Sequence, residues 1–238
     1  MASVKEIFFI NNPVFIKFKR KFNWRRFRKE EALVKFVFIN ERILEIPFVA
    51  TSLGDLPAGS RVIDLGCSES MMPMILLAMG FKVTGVDCRE YPYDMPHFHF
   101  DRADILELPY ADSSFDAATC ISTVEHIGLG HYNDPLHETG ADGKAMEQVR
   151  RILKPGGRLI FSVPFGKAFQ GALQRVYDQP RLDAILKGFR IESVAFHRIV
   201  KTEGAINNFW EPVSESLAAE TPGSDKTECV CLIKARKI

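Results

Sequence analysis

Short apolar runs alternate with stretches of helical periodicity over most of the chain. Runs typical of buried strands occur at residues 61–66, 81–87, 97–105, 115–122, 158–165, 190–199 and 228–237. Helical patterns lie between them, at residues 70–80, 143–157 and 180–189. Strands that alternate with helices predict an α/β fold, in which helices cover both faces of a parallel sheet.

The first 50 residues follow a different pattern. They begin aromatic and basic and then become apolar at helical spacing, which predicts one or two helices. Residues 53–60 contain Gly54, Pro57 and Gly59 and are typical of a linker and turn. We therefore divide the chain into an N-terminal basic and aromatic helical extension or lid, residues 1–52, and a main domain, residues 53–238.

Charge is unevenly distributed along a chain of ordinary composition. Of the 238 residues, 46% are hydrophobic and 26% are charged, as in soluble globular proteins, and the net charge of +1 does not favour a general polyanion binder. Residues 1–29 nevertheless hold nine Lys or Arg and one acid, whereas the remainder holds 22 basic and 29 acidic residues, a net charge of −7. Such asymmetry indicates an interacting segment.

The basic segment at residues 17–29 carries Phe and Trp among its Lys and Arg residues. Three interpretations compete: contact with nucleic-acid phosphates and bases, peripheral contact with an anionic membrane, or an amphipathic helix that packs on the main domain. The negative charge of the rest of the chain makes nucleic acid the least favoured partner. The sequence does not indicate an oligomeric state.

The five cysteines show no C-x-x-C spacing. We interpret them as reduced thiols of a cytoplasmic protein, and we expect no zinc site because no cluster has the required ligand spacing. No apolar run approaches the roughly 18 residues of a membrane-spanning helix. The stretch at residues 7–16 is too short, and its positive charges are on the wrong side, for a secretory signal.

Three chemically distinctive positions follow three successive predicted strands. At Gly66 the missing Cβ permits a sharp turn and the close approach of a ligand. Asp87 ends the second strand, where an acid can accept hydrogen bonds from both ribose hydroxyls, and Asp104 follows the third, where it could accept from an exocyclic amine. The alternative roles are a turn cap for Asp87 and an ordinary helix N-cap for Asp104. Taken in order, the three positions describe an adenosine site.

The loop VIDLGCSES at residues 62–70 discriminates between two kinds of adenosine cofactor. A dinucleotide requires the G-x-G-x-x-G turn, and here Ser68 and Met71 occupy the second and third glycine positions. These side chains would crowd a pyrophosphate. A cofactor with a methionine tail places a smaller, zwitterionic group near the loop and needs fewer glycines, so the sequence favours it.

From about residue 60 to 165 the chain resembles the class I S-adenosylmethionine-dependent methyltransferases. The resemblance rests on five ordered motifs, DLGCSES, VTGVD, ADILELPY, SFDAATCISTVEHI and LKPGGRLIFSVP, and the segment STVEHIGLGHYNDP is further similar to a subgroup with an EHIGLG turn. It implies a doubly wound, seven-stranded, mostly parallel sheet of the Rossmann-like methyltransferase fold, whose last strand is antiparallel. It also implies S-adenosylmethionine as the cofactor. The cofactor-binding residues that it implies are Asp64, Gly66, Cys67, Ser68, Asp87, Cys88, Asp104, Ile105 and Ser122.

A long segment, residues 199–227, separates the sixth and seventh predicted strands. Loops of this length in compact domains are usually functional or disordered. We interpret the segment as a substrate-side insertion that, with the N-terminal extension, forms a lid.

His126 is the candidate catalytic base. Methyl transfer to a hydroxyl requires alignment of the reactants and an acceptor for the proton, and histidine titrates near neutral pH. The competing interpretation is a residue that only packs the turn beside the cofactor. Some relatives within the resembling family hold a divalent ion with an E-x-x-E-H arrangement, but Ser122 replaces the first glutamate here, so we expect no metal at Glu125 and His126.

The function predicted from this resemblance is O-methylation of a hydroxyl on a small molecule, sugar or glycan. It rests partly on the absence of an N-P-P-Y-like tetrapeptide, typical of amine methylation, after the fourth strand. The alternatives are a nucleic-acid methyltransferase that uses the basic arm and a non-catalytic cofactor-binding subunit.

Overall fold

A computed structural model describes residues 40–68, 70–130, 132, 140–201 and 208–238. The basic segment at residues 17–29, most of the predicted N-terminal extension, and part of the predicted insertion lie outside the described residues. In the part of the chain that is described, no helix is long and apolar enough to cross a membrane.

A single twisted sheet forms the centre of the described structure, with the strand order β3-β2-β1-β4-β5-β10-β8-β9. A separate two-stranded hairpin, β6–β7, follows β5. The strands are β1 (Arg61–Leu65), β2 (Lys82–Asp87), β3 (Phe98–Arg102), β4 (Phe115–Ile121), β5 (Leu153–Pro164), β6 (Phe169–Gln170), β7 (Arg175–Val176), β8 (Phe189–Val200), β9 (Phe209–Val213) and β10 (Cys229–Lys237).

The sheet confirms the predicted doubly wound architecture and its antiparallel last strand. Strands β1 to β5 pair in parallel, whereas β10 runs antiparallel to both of its neighbours, β5 and β8. The sheet in the described residues has one strand more than the predicted seven, because β9 from the insertion pairs with the outer edge of β8. The sequence pattern did not predict β9 because the strand contains Pro212, and proline is tolerated only at edges and bulges of a sheet.

Helices cover both faces of the sheet. They are α1 (Arg42–Leu53), α2 (Met72–Ala78), α3 (Ala141–Ile152), α4 (Gln179–Ile185) and α5 (Glu215–Ala219). One apolar cluster packs α3, α4 and α5 on one face, and a second packs α1 and α2 on the other. The predicted helix over residues 143–157 is too long at its C-terminal end: α3 stops at Ile152, and the Lys-Pro-Gly-Gly stretch already belongs to β5 because Leu153 pairs with Phe115 of β4.

Helix α1 spans the predicted division at residue 52. Val49 and Leu53 are fully buried against the sheet, although Leu53 was expected to begin a linker. At the C-terminal end of α1, Arg158 of β5 donates hydrogen bonds to the carbonyl oxygen of Ser52 and to the carboxylate of Asp55. The helix is therefore part of the core of the main domain, with its N-terminal end toward the carboxyl edge of the sheet.

Candidate active site

The turn after β1 depends on the single glycine of the loop. Gly66 has φ +78° and donates its N–H to the carbonyl oxygen of Val86 at 2.8 Å. A Cβ atom at this position would lie 2.4 Å from the side chain of Thr123, which follows β4. Cys67 is fully buried, and its thiol lies against Gly85 of β2, where burial raises the thiol pKa. The loop therefore packs tightly onto the two neighbouring strands.

Asp87 receives hydrogen bonds on both carboxylate oxygens. The N–H of Ser68 donates to Oδ2 at 2.9 Å, and Oδ1 accepts from the N–H of Arg89 at 2.9 Å and from Arg89 Nε at 3.3 Å. Only 4% of Asp87 is exposed. The loop after β1 and the end of β2 are thus joined at this carboxylate, and its role toward a ribose stays a prediction.

The side chains of Tyr132 and Cys88 lie beside the Arg89–Asp87 pair. The Arg89 guanidinium lies over the Tyr132 ring, 4.5 Å from its centroid, and the Cys88 thiol lies 3.4 Å from the Tyr132 carbonyl oxygen and 3.7 Å from Asp87 Oδ1. A ligand whose hydroxyls bind Asp87 must therefore compete with the Arg89 side chain for Oδ1.

Asp64 is a buried carboxyl with one satisfied and one unsatisfied oxygen. Thr119 of β4 donates to Oδ1 at 2.6 Å, whereas Oδ2 has no hydrogen-bond partner among the described residues. Burial raises the pKa of Asp64 to about 7, while the Thr119 hydroxyl and the charge of Arg42 act in the opposite direction. An unpaired buried oxygen of this kind is costly unless a ligand or water satisfies it.

The residues after β3 have local structural roles. Asp104 caps the 3₁₀ turn Ile105–Glu107 by accepting from the N–H of Leu106 at 2.9 Å, which is the N-cap role considered for it. Ile105 is buried in the larger apolar cluster. Their roles toward an adenine ring stay predictions.

The turn after β4 begins at a strained residue. Ser122 has φ +44°, a left-handed conformation that is uncommon for residues other than glycine. Its hydroxyl donates to Glu45 Oε1 at 2.5 Å, and its N–H donates to the hydroxyl of Ser162 at 2.9 Å. The hydroxyl of Ser162 in β5 donates to the same Glu45 oxygen at 2.6 Å.

His126 ends the 3₁₀ turn Val124–His126 that follows. Its Nδ1 lies 2.6 Å from the carbonyl oxygen of Leu173. Because a carbonyl oxygen only accepts, Nδ1 carries the proton, and in the neutral ring Nε2 is the acceptor. Nε2 lies 3.8 Å from Glu125 Oε1, and the ring contacts Tyr132 edge-on at a centroid distance of 5.1 Å.

Glu125 is almost completely buried beside His126. It is 1% exposed, and its Oε2 has no hydrogen-bond partner in the part of the chain that the structure describes. Burial raises the pKa of Glu125 well above its usual value, while the Arg42 guanidinium opposes this shift. Across the described residues, no group of three or more His, Cys, Asp or Glu side chains is arranged to hold a metal ion.

The structure brings most of the predicted site residues to one edge of the sheet. Asp64, Gly66, Ser68, Asp87, Ser122 and His126 all lie at or just beyond the carboxyl ends of β1, β2 and β4. Sequence reasoning missed the two α1 residues Arg42 and Glu45, which carry no motif and reach this edge only because α1 docks there. It also missed Ser162. The position of this residue near the end of β5 could have indicated that it lies at the same edge of the sheet.

Comparisons with known proteins agree with this architecture. A family model described as "Caenorhabditis protein of unknown function, DUF268" matches residues 106–203. The ubiquinone biosynthesis O-methyltransferase of Alkalilimnicola ehrlichii is 30% identical over 129 residues, which cover 50% of this chain and 47% of that protein. The demethylmenaquinone methyltransferase of Deinococcus radiodurans is 30% identical over 178 residues, which cover 69% and 61%.

Solved structures share the fold. The 1,6-didemethyltoxoflavin-N1-methyltransferase of Burkholderia thailandensis, solved with S-adenosylhomocysteine, superimposes with a TM-score of 0.55 at 20% identity, and the match covers 80% of this chain and 76% of that one. The chain spans about half the length of the first curated relatives that it matches. Its motifs, its sheet topology and these relatives agree: the chain belongs to the superfamily of class I S-adenosylmethionine-dependent methyltransferases.

Proposed function

We propose that this protein binds S-adenosylmethionine and transfers its methyl group to a hydroxyl of a small molecule, a sugar or a glycan. The observation that carries the proposal is the pair of buried acids at the ends of β1 and β2. Asp87 accepts from the loop amide of Ser68, and at the same edge one oxygen of Asp64 has no partner among the described residues. The O-methyltransferases among the relatives support the choice of acceptor atom.

The residues at this edge fit the proposed cofactor. Asp64 Oδ2 is a buried acceptor without a partner among the described residues, and an ammonium group would satisfy it. Asp87 is placed to accept from ribose hydroxyls once the Arg89 side chain moves away from Oδ1. When bound, the cofactor supplies an electrophilic methyl group on its sulfonium sulfur.

His126 is the proposed proton acceptor. The Leu173 carbonyl fixes its tautomer, so that Nε2 can take the proton that the acceptor oxygen loses as the new carbon–oxygen bond forms. The positive charge that forms on the ring would in turn favour ionisation of the neighbouring Glu125 carboxyl, whose pKa burial otherwise raises. A positioned base of this kind contributes about 10²–10⁴-fold to the rate.

A cavity of about 410 Å³ at the carboxyl end of β8 supports a substrate-side role for the predicted insertion. Leu217, Thr221 and Pro222 of the insertion form part of its wall, and the Thr221 carbonyl accepts from the N–H of Lys167, just after β5. Its walls combine apolar side chains with Arg198 and with the Lys201–Glu228 ion pair. This combination suits the distal part of a small amphipathic acceptor.

Peripheral contact with an anionic membrane through residues 17–29 is part of the proposal, with the part of the extension that precedes α1 as a lid. Aromatic side chains among basic ones suit the headgroup region. Co-sedimentation with vesicles containing phosphatidylserine, for the full chain and for a chain lacking residues 1–30, checks this. Equal pelleting of the two forms would contradict it.

Calorimetry with S-adenosylhomocysteine tests the cofactor site. We expect the wild-type protein to bind and Asp87→Asn to bind at least tenfold more weakly, because the amide replaces one of the two acceptor oxygens. Asp101→Asn is the matched control, since Asp101 pairs with Val86 from the neighbouring strand β3 and accepts from Tyr110. No binding by the wild type, or equal weakening by both variants, would contradict the site.

Turnover is measured separately, with radiolabelled S-adenosylmethionine and a panel of phenols, catechols, quinols and sugars. Label found in an extracted acceptor is the expected result. Cofactor binding without transfer to any acceptor would favour the non-catalytic alternative.

A further inference from the structure

Helix α1 is joined to the catalytic edge by a buried polar network. Glu45 is 0% exposed, and its Oε1 accepts from the hydroxyls of Ser122 and Ser162 at 2.5 and 2.6 Å. Its Oε2 accepts from Arg42 at 2.8 Å, and the same Arg42 nitrogen donates to the carbonyl oxygen of Ile121, the last residue of β4, at 3.1 Å. We name Arg42, Glu45, Ser122 and Ser162 the α1–turn network.

The network encloses the most strained residue of the catalytic turn. A left-handed serine costs free energy and persists only where its surroundings hold it. Here the N–H and the hydroxyl of Ser122 are both held, by Ser162 and by Glu45. Glu45 forms an ion pair with Arg42 at 2.8 Å, and charge-assisted hydrogen bonds are about twice as strong as neutral ones, which suits Glu45 to this task.

The strained turn sets the position of the residues that follow. Thr123 donates its hydroxyl to the carbonyl oxygens of Leu65 and Ile121, and the N–H of His126 donates to the carbonyl oxygen of Thr123 at 3.0 Å. A rotation of the backbone at Ser122 would therefore displace His126 relative to the loop after β1.

We infer that Glu45 is a positioning residue of the active site: through Ser122 and Ser162 it holds the turn that carries His126. This inference rests on the proposed function for its effect on turnover, but not for its effect on the geometry of the turn. Glu45 itself touches neither His126 nor the Asp87 carboxylate through any described hydrogen bond.

Two variants disturb the network to different extents. Glu45→Gln keeps the side-chain volume and removes the charge, and Ser162→Ala removes one hydroxyl donor. Asp55→Asn is the matched control. Asp55 also joins α1 to β5, through Arg158, but at the opposite edge of the sheet, so it reports on loosened helix docking alone.

The first readout is the ring-proton resonance of His126 in the full chain, assigned from its loss in His126→Gln. It requires neither cofactor nor turnover. We expect Glu45→Gln and Ser162→Ala to shift or broaden this resonance and Asp55→Asn to leave it unchanged. An unchanged resonance in both network variants, or an equal change in Asp55→Asn, would overturn the inference.

The second readout is steady-state turnover with any acceptor that the wild type methylates. We expect kcat to fall about tenfold or more in Glu45→Gln with KM for the acceptor changed less than threefold, because misplacement of a catalytic group by about 1 Å can cost 10²-fold. A rise in KM at constant kcat would overturn the positioning role. Absence of turnover in the wild type would count against the proposed function, and the resonance measurement would still decide the role of Glu45.

Discussion

The hydroxyl of Thr119 donates to Oδ1 of Asp64 at 2.6 Å, while the other oxygen of the same carboxyl has no partner among the described residues. A hydroxyl of β4 thus satisfies one of the two oxygens of a buried carboxyl group on the neighbouring strand β1. Burial raises the pKa of this carboxyl to about 7, which makes its protonation sensitive to pH near neutrality.

Asp64→Asn is expected to reduce the loss of folding stability that the protein undergoes as the pH rises. Burial raises the pKa of Asp64 from its usual 3.8 to about 7 in the folded state. Between these values the folded carboxyl holds a proton that the unfolded one has released, so the free energy of unfolding falls as the pH rises through this window. Thermal unfolding of the two proteins at pH 5 and pH 8 measures the effect.

The melting temperature of Asp64→Asn minus that of the wild type should be larger at pH 8 than at pH 5. A difference that is the same at both pH values would show that Asp64 does not titrate in this range. Any fixed cost of the added amide N–H groups cancels in this comparison.

Arg89→Met is expected to strengthen the binding of S-adenosylhomocysteine. The Arg89 Nε competes for Asp87 Oδ1, and a partly exposed ion pair contributes about 0.2–1 kcal/mol, so the gain should be up to roughly fivefold in Kd. Calorimetry measures it, with Arg102→Met as the control, because Arg102 pairs with Glu90 on the adjacent surface. Weaker binding by Arg89→Met would mean that Arg89 itself contacts the ligand.

His126→Gln is expected to lower kcat by about 10²-fold or more and to change the affinity for S-adenosylhomocysteine little. Glutamine can still hydrogen-bond within the turn but cannot take up a proton at neutral pH. Steady-state turnover and calorimetry on one preparation separate the two effects. Parallel losses of kcat and affinity would assign His126 to cofactor binding instead.

Gly66→Ala is expected to destabilise the protein more than Gly59→Ala does. Both glycines have positive φ, +78° and +80°, so both substitutions carry the conformational cost. Only at Gly66 would the new Cβ collide with a neighbour, 2.4 Å from Thr123, whereas nothing lies within 4 Å at Gly59. Urea unfolding should show a difference of about 1–3 kcal/mol between the variants. Equal losses of folding stability in the two variants would mean that the destabilisation comes from backbone conformation alone.

Much of the fold could be predicted because parallel strands bury both faces and leave continuous apolar runs. The same regularity put Gly66, Asp87 and His126 at strand ends, and thus at one edge of the sheet. Local pattern did not reveal β9, because Pro212 interrupts it. It also did not reveal the start of β5, because the pattern assigns residues 153–157 to the end of the preceding helix.

The contacts that organise the site were not predictable for a different reason. Glu45 is separated from Ser122 by 77 residues and from Ser162 by 117. Hydrogen bonds between residues so far apart in sequence depend on how α1 packs on the sheet, and no hydrophobic periodicity in the sequence indicates them. The contact of Arg89 with Asp87 is local, but whether an arginine folds back on a neighbouring acid depends on what covers it, here Tyr132.

The strand that the insertion adds also forms an edge of the sheet in the described structure. An open edge strand is a template onto which a strand of a second molecule can add, the first step of many aggregates. Pro212 lies in the outermost strand, β9, and offers no N–H to an incoming backbone. In the described part of the chain the insertion therefore does more than border a cavity: it ends the sheet with a strand that lacks one N–H group.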